Sequence, residues 1–340
     1  MELGRILFTA FNAVFPIVAV ILVGYFLKRI GFLTKEFLNV GNKLVFHVCL
    51  PCMLFINVYG IAGVQALRWD VILFCIAVIL VIFGLGLATA LATTKLAARR
   101  GALLQCTFRS NIAIIGLSLA AAVGGEEAQG VAAIVTAFAV PVFNILAVIA
   151  LSVFSSEGKK VSAFGVLKGI ARNPLIIGVA LGLAALVIRE VQTLAIGEVV
   201  FSIQRDLPFL YASANQIKSL TTPLALIVLG GQFELSAVKG LFKEILVGSL
   251  WRLIVTPLIG IGSAVVFSAF SNLINFGPNE YPALSALFGS PVAVSSAVMA
   301  KQMGSDEQLA TQYVIWTSLG SIVTIFLMVC ILMAMGLLGV

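Results

Sequence analysis

The sequence predicts an all-α membrane protein of about ten transmembrane helices, in two inverted five-helix repeats with interruptions in spans four and nine. Three observations lead there: an extreme apolar composition, a one-sided distribution of basic residues, and an internal repeat whose polar breaks fall at matching places. Of 340 residues, 61% are hydrophobic and only 10% are charged, and the mean hydropathy is +1.15. A soluble domain carries about 25% charged residues, so most of this chain's solvent is lipid. Long alternating segments separated by turns are absent, which argues against a β-barrel.

Hydropathy places the spans at about 5–27, 37–59, 70–94, 102–123, 127–154, 168–188, 207–233, 243–269, 281–303 and 307–337. The first apolar stretch follows a single basic residue, Arg5, and precedes Lys28, Arg29 and Lys35. A signal peptide has its charge first, so span one is expected to be retained with its N-terminus outside. The segment 189–206 is mixed (Arg189, Glu190, Glu198, Arg205, Asp206) and is expected to lie at the interface. Fourteen of the 21 Lys and Arg fall in the connectors of one side, among them Lys95, Arg99, Arg100, Lys159, Lys160 and Lys243. Five (Arg5, Arg68, Arg189, Arg205 and Lys218) are assigned to the other side. The rich side is expected to be cytoplasmic, which makes a multi-pass cell-membrane protein with both termini extracytoplasmic.

Segment 109–114 (Arg-Ser-Asn-Ile-Ala-Ile) matches 289–294 (Gly-Ser-Pro-Val-Ala-Val), and Gly124, Glu126 and Glu127 match Gly304, Asp306 and Glu307 at the same offset. The chain therefore reads as a first repeat, 1–155, a cytoplasmic linker, 156–164, and a second repeat, 165–340. Five spans is an odd number, so the halves enter the membrane from opposite sides. That architecture is common among secondary transporters, whose sites lie at interrupted helices in corresponding positions. Asn111, Gly116 and Ser118 break span four; Ser290, Pro291 and Ser295 break span nine. Unwound backbone at membrane depth needs protein or a water-filled cavity to satisfy it, and a half-helix N-terminus favours an anion. Arg109 and Arg252 lie within their spans, where charge is costly and usually functional. Either could clasp a carboxylate, or else snorkel or pair with backbone carbonyls. The candidate substrate site is thus Arg109, Ser110, Asn111, Gly116, Arg252, Ser290, Pro291 and Ser295.

Other motifs read as structural. Cys49-Leu-Pro-Cys52 has redox spacing but lies in an apolar span, and its thiols are expected to act as small hydrophobes. Glu126, Glu127, Asp306 and Glu307 open helices and suit capping, with Ser305 and Gln308 at capping-box spacing. Gly178 and Gly182 have the spacing for close helix contact, with a homodimer interface as one use. His47 is the single histidine. No phosphate loop, zinc cluster or nucleophile triad is present, and the scattered basic residues do not make a nucleic-acid surface. No enzyme activity and no cofactor is expected; coupling to Na+ or H+ stays open.

The chain resembles the auxin efflux carrier family, which includes bacterial malonate permeases. The resemblance rests on the run 172–177 (Arg-Asn-Pro-Leu-Ile-Ile), on Pro223-Leu-Ala-Leu226 with Gly230-Gly231, on Arg252 followed by Pro257-Leu258, and on Pro291 to Ala300 with Gly304. It covers almost the whole chain. It implies a fold shared with bile acid:sodium symporters, in which spans four and nine cross as broken helices. Spans 1, 2, 6 and 7 would then form a scaffold, and spans 3–5 and 8–10 a moving transport domain. It also implies a small carboxylate substrate such as malonate, malate or an auxin-like acid, with a sodium-coupled symporter of bile-acid-like substrates as the alternative and a channel as a lesser one. Asn111 and Pro291 occupy the family's crossover positions. Ser118 stands where the family often has proline, which leaves the sharpness of the break in span four open.

Overall fold

The computed structural model describes residues 2–60, 68–154, 171–233, 237–270, 274 and 276–338. The linker 156–164, with its lysines, lies outside them. The described residues are helical and contain no strand; their one β feature is an isolated bridge. In chain order the helices are α1 (Glu2–Arg29), α2 (Lys35–Leu44), α3 (Leu50–Tyr59), α4 (Trp69–Thr93), α5 (Ala97–Phe108), α6 (Leu117–Val153) and α7 (Pro174–Ile196). They continue with α8 (Ile203–Asp206), α9 (Pro208–Gln232), α10 (Ala237–Leu250), α11 (Thr256–Phe270), α12 (Glu280–Gly289), α13 (Ser295–Gln302) and α14 (Glu307–Ala334). π-helical turns at Val45–Cys49 and Trp251–Val255 join α2 to α3 and α10 to α11 into continuous rods.

Six of these rods are long and apolar enough to cross a membrane: Lys35–Tyr59, Trp69–Thr93, Leu119–Val153, Pro174–Ile196, Val238–Phe270 and Glu307–Ala334. Their outer faces carry large exposed apolar side chains, such as Leu73, Leu80, Leu181, Val187, Leu258, Val266, Val323 and Ile331. Their inner faces bury Asn42, Asn144, Arg252, Thr311 and Gln312. Polar residues inside and apolar ones outside is the distribution lipid imposes.

Lipid tails are as apolar as leucine, so helices here are held by close packing more than by the hydrophobic effect. Two contacts illustrate it. On α1 and α9, Gly24 faces the backbone of Ile227 and Gly230 faces that of Ile21, and a methyl at either would run into a carbonyl oxygen. On α3 and α7, a methyl at Gly178 would lie 2.5 Å from the Pro51 carbonyl oxygen, and one at Gly182 2.9 Å from that of Phe55. The Gly178/Gly182 face therefore packs against α3 within the chain.

Local signals set the helix ends. Asn173 caps α7 by accepting from the Leu175 N–H at 2.9 Å, and α7 runs on through Arg189 to Ile196, past the expected end of span six. Gly197 closes it with φ 84°. Of 189–206, only α8 is a separate helix. Gly125, at φ 73°, bends α6 sharply where spans four and five meet. Gly304, at φ 69°, turns the chain between α13 and α14. Asp306 is the N-cap of α14 and accepts from the Leu309 N–H at 2.9 Å. Ser305, expected to start a capping box, instead donates its hydroxyl to the Ala98 carbonyl at 2.6 Å. Glu127 accepts from Asn279 Nδ2 at 2.9 Å.

Two polar clusters clamp helix starts at opposite ends of the bundle. Arg99 on α5 pairs with Glu244 on α10 at 2.9 Å and with Asp306 at the start of α14 at 3.4 Å. Arg68, before α4, pairs with Glu280 at the start of α12 at 3.0 Å, and Asn279 beside it reaches Glu127 on α6.

Candidate functional site

The site begins where α5 and α12 stop. Arg109 leaves the helix at φ −83°, ψ 106°, and Ser290 does so at φ −67°, ψ 149°. The two non-helical stretches cross and pair as a short antiparallel bridge, Ser110 with Val292. The Asn111 N–H donates to the Pro291 carbonyl at 2.9 Å, and the Ala293 N–H donates to the Arg109 carbonyl at 3.2 Å. Each break therefore satisfies backbone groups of the other, as irregular backbone at membrane depth requires. Span four is sharply broken without a proline at Ser118: the chain turns at Asn111 and resumes through a π-helical turn, Ile112–Gly116, into α6. The α-carbon of Gly116 packs where a methyl would sit 2.7 Å from the Ala286 carbonyl oxygen, which lets the resumed helix lie against α12.

Two buried arginines hold the crossing. Arg252, 0% exposed, donates from Nε to the Ser290 carbonyl at 2.7 Å and from one terminal nitrogen to Leu287 and Phe288 carbonyls at 3.2 and 3.3 Å. Those are the orphan carbonyls at the end of α12, so Arg252 acts as that helix's cap and neutralises its negative end. Of the three readings left open for Arg252, pairing with backbone carbonyls is the geometry found. Arg109, 3% exposed, reaches Gln105 Oε1 at 3.1 Å, Asn144 Oδ1 at 2.6 Å, Ser295 Oγ at 2.9 Å and the Met299 sulfur. Its fork ties the end of α5 to α6 and to the start of α13. Neither arginine forms an ion pair among the described residues.

A cavity of about 60 Å³ adjoins the crossing. Arg109, Ser110, Asn111, Ala113, Asn144 and Ala293 to Ser295 line one wall. Leu50, Met53 and Leu54 of the span containing α3, with Thr221, Thr222 and Ala225 of α9, line the other. Asn111 is 4% exposed, and its side-chain nitrogen, like the Ser110 hydroxyl, has no hydrogen-bond partner among the described residues. An unmet buried donor costs about 1–3 kcal/mol, which a ligand acceptor would recover.

Of the sequence candidates, Arg109, Ser110, Asn111 and Ser295 meet at this cavity. Gly116, Ser290, Pro291 and Arg252 shape the crossing without lining it. Sequence reasoning missed Asn144, Thr221 and Thr222. Asn144 carried a signal, a lone amide in an otherwise apolar stretch of span five; the threonines precede Pro223, which drew attention instead. A second, larger cavity of about 520 Å³ shares Met53, Leu54, Ala113, Val140 and Thr222 with the first, and adds Asn57, Tyr211, Asn215 and Lys218. The cysteines are free; Cys49 is buried, and Cys52 donates its thiol to the Ala214 carbonyl at 3.3 Å. No cluster of three or more His, Cys, Asp and Glu that could hold a metal occurs among the described residues.

Two interrupted helices crossed in a bundle of membrane-length rods, with a cavity at the crossing, define a membrane transport protein rather than an enzyme. The family model described as membrane transport protein matches residues 9–329, and the chain belongs to that family, the auxin efflux carriers. It is similar to a protein of Methanocaldococcus jannaschii described as an uncharacterized transporter, 27% identical over 328 residues that cover 93% of this chain and 96% of the relative.

Proposed function

We propose that the protein is a secondary carrier of a small organic anion, a mono- or dicarboxylate such as malonate, malate or an auxin-like acid, working by alternating access. One observation carries the reading. The crossover cavity has a guanidinium, Arg109, and unmet donors from Asn111 and Ser110 in its wall, and no aspartate or glutamate among its lining residues. A buried positive charge without a counter-ion favours an anionic occupant and disfavours a bare cation. Substrate binding is assigned to Arg109, Ser110, Asn111 and Ser295, with Gly116, Ser290, Pro291 and Arg252 in positioning roles.

The mechanism follows from the cavity's two walls. In this reading the rods containing α1, α3, α7 and α9 are a static scaffold, and the crossed helices with their neighbours slide against it as an elevator. Several matched features support two inverted five-span halves and ten crossings. The α1–α9 contact has its counterpart in α3–α7, Gly125 in Gly304, and the Arg99 cluster in the Arg68 cluster. With the basic side cytoplasmic, both termini lie outside a cell membrane.

The test is flux in proteoliposomes holding the purified protein. Labelled malonate, malate and indole-3-acetate are offered with and without a sodium gradient. Saturable uptake of at least one, absent from empty liposomes, is expected. Uptake of none would overturn the reading, and a strict sodium requirement would favour the symporter alternative.

A further inference from the structure

The sequence counts Lys218 with the basic residues of the outer side, and it is the eleventh residue of α9. At 1.5 Å per residue it lies about 15 Å along the helix from Pro208. It is partly buried in the wall of the larger cavity, facing the same space as Asn57, Tyr211 and Asn215. No acidic residue lines that cavity, and among the described residues Lys218 forms no ion pair. A partly buried ammonium with no counter-ion beside it is costly and favours an anionic neighbour. One helical turn further on, Thr222 belongs to both cavities.

We propose that Lys218, with Asn215 and Asn57, forms a second anion-binding station in the larger cavity, where a carboxylate is held before it passes to the Asn111 crossing. This rests on the carrier reading and deepens it. Lys218 stands on α9, across the cavity from the crossing, so its charge belongs to the approach route and not to the broken helices. A cleft lined by one sign of charge raises the local concentration of the opposite ion, and the effect falls with ionic strength. Lys218 would therefore act on capture and leave the translocation step nearly unchanged.

The experiment compares wild type, Lys218→Gln and Lys218→Arg in proteoliposomes, together with malonate-induced thermal stabilisation of the detergent-purified proteins. Lys218→Gln is expected to raise KM for the transported anion about tenfold, with maximal flux within about twofold of wild type, and to flatten the salt dependence of uptake at low substrate. Lys218→Arg is expected to retain wild-type KM and salt dependence, because the charge is kept. Unchanged KM and unchanged salt dependence in Lys218→Gln would overturn the station while leaving the carrier reading intact. A parallel fall in melting temperature and maximal flux, without a KM change, would assign Lys218 a packing role and also overturn it. Absence of both flux and stabilisation with malonate, malate and indole-3-acetate in wild type would overturn the carrier reading and the station together. Stabilisation without flux, lost in Lys218→Gln, would support the station and count against the carrier.

Discussion

At the residue scale, the two buried arginines look equivalent in the sequence and prove to do different work. Both are single charges in apolar spans, and hydropathy offers no means of telling them apart. The difference lies in partners that are distant in the chain. Arg252 meets three backbone carbonyls at the end of α12, whereas Arg109 meets side chains of α5, α6 and α13 and borders the cavity. Charge-assisted hydrogen bonds contribute about 1.5–3 kcal/mol each. Arg252→Ala is therefore expected to lower thermal stability by several degrees in a detergent melting assay and to reduce flux through misfolding, with no change in KM for the protein that remains folded. An altered KM with unchanged stability would move Arg252 into the binding site. Asn111 and Pro291 were legible as positions that matter, because an amide and a proline at mid-membrane need a reason. Their mutual backbone hydrogen bond was not, since it joins residues 180 apart.

At the scale of elements, hydropathy located the helices well because each must bury its backbone in its own hydrogen bonds. It blurred their ends, which depend on caps. Asn173, Gly197 and Asp306 set three of those ends, and Ser305 spent its hydroxyl on a neighbouring helix. The glycine pairs carried a readable spacing but no address: Gly178 and Gly182 meet α3, a partner that pattern alone could not name. Close approach predicts unequal tolerance. Gly230→Ala places a methyl against the Ile21 backbone, while Gly84→Ala meets nothing within 4 Å. The first is expected to destabilise by about 1–3 kcal/mol or more, and the second to be neutral or slightly stabilising from helix propensity. Melting temperatures of the two purified variants check this, and equal values would contradict the described α1–α9 contact.

At the scale of the whole molecule, the internal repeat pointed at the crossing before any geometry did, because matched interruptions in two halves are hard to place elsewhere in a membrane. The cavity between the crossing and α3 with α9 could not be read from the chain, since its walls come from five separated segments. If those walls move past each other, tethering them stops transport. Leu54→Cys with Val294→Cys, which line the same cavity from opposite walls, joined by a short bifunctional reagent, is expected to abolish flux, with recovery on cleavage of the link. Tyr25→Cys with Phe233→Cys, whose native rings lie 6.1 Å apart within the proposed scaffold, is expected to leave flux intact. Equal inhibition by both would argue against a sliding boundary at the cavity. The central claim, that the crossing binds the transported anion, is tested most directly by equilibrium binding of the transported carboxylate to wild type and Asn111→Ala by calorimetry. Asn111→Ala is expected to lose about tenfold or more in affinity with an unchanged melting temperature in the absence of ligand, while equal affinity in the two proteins would contradict a site at the crossing.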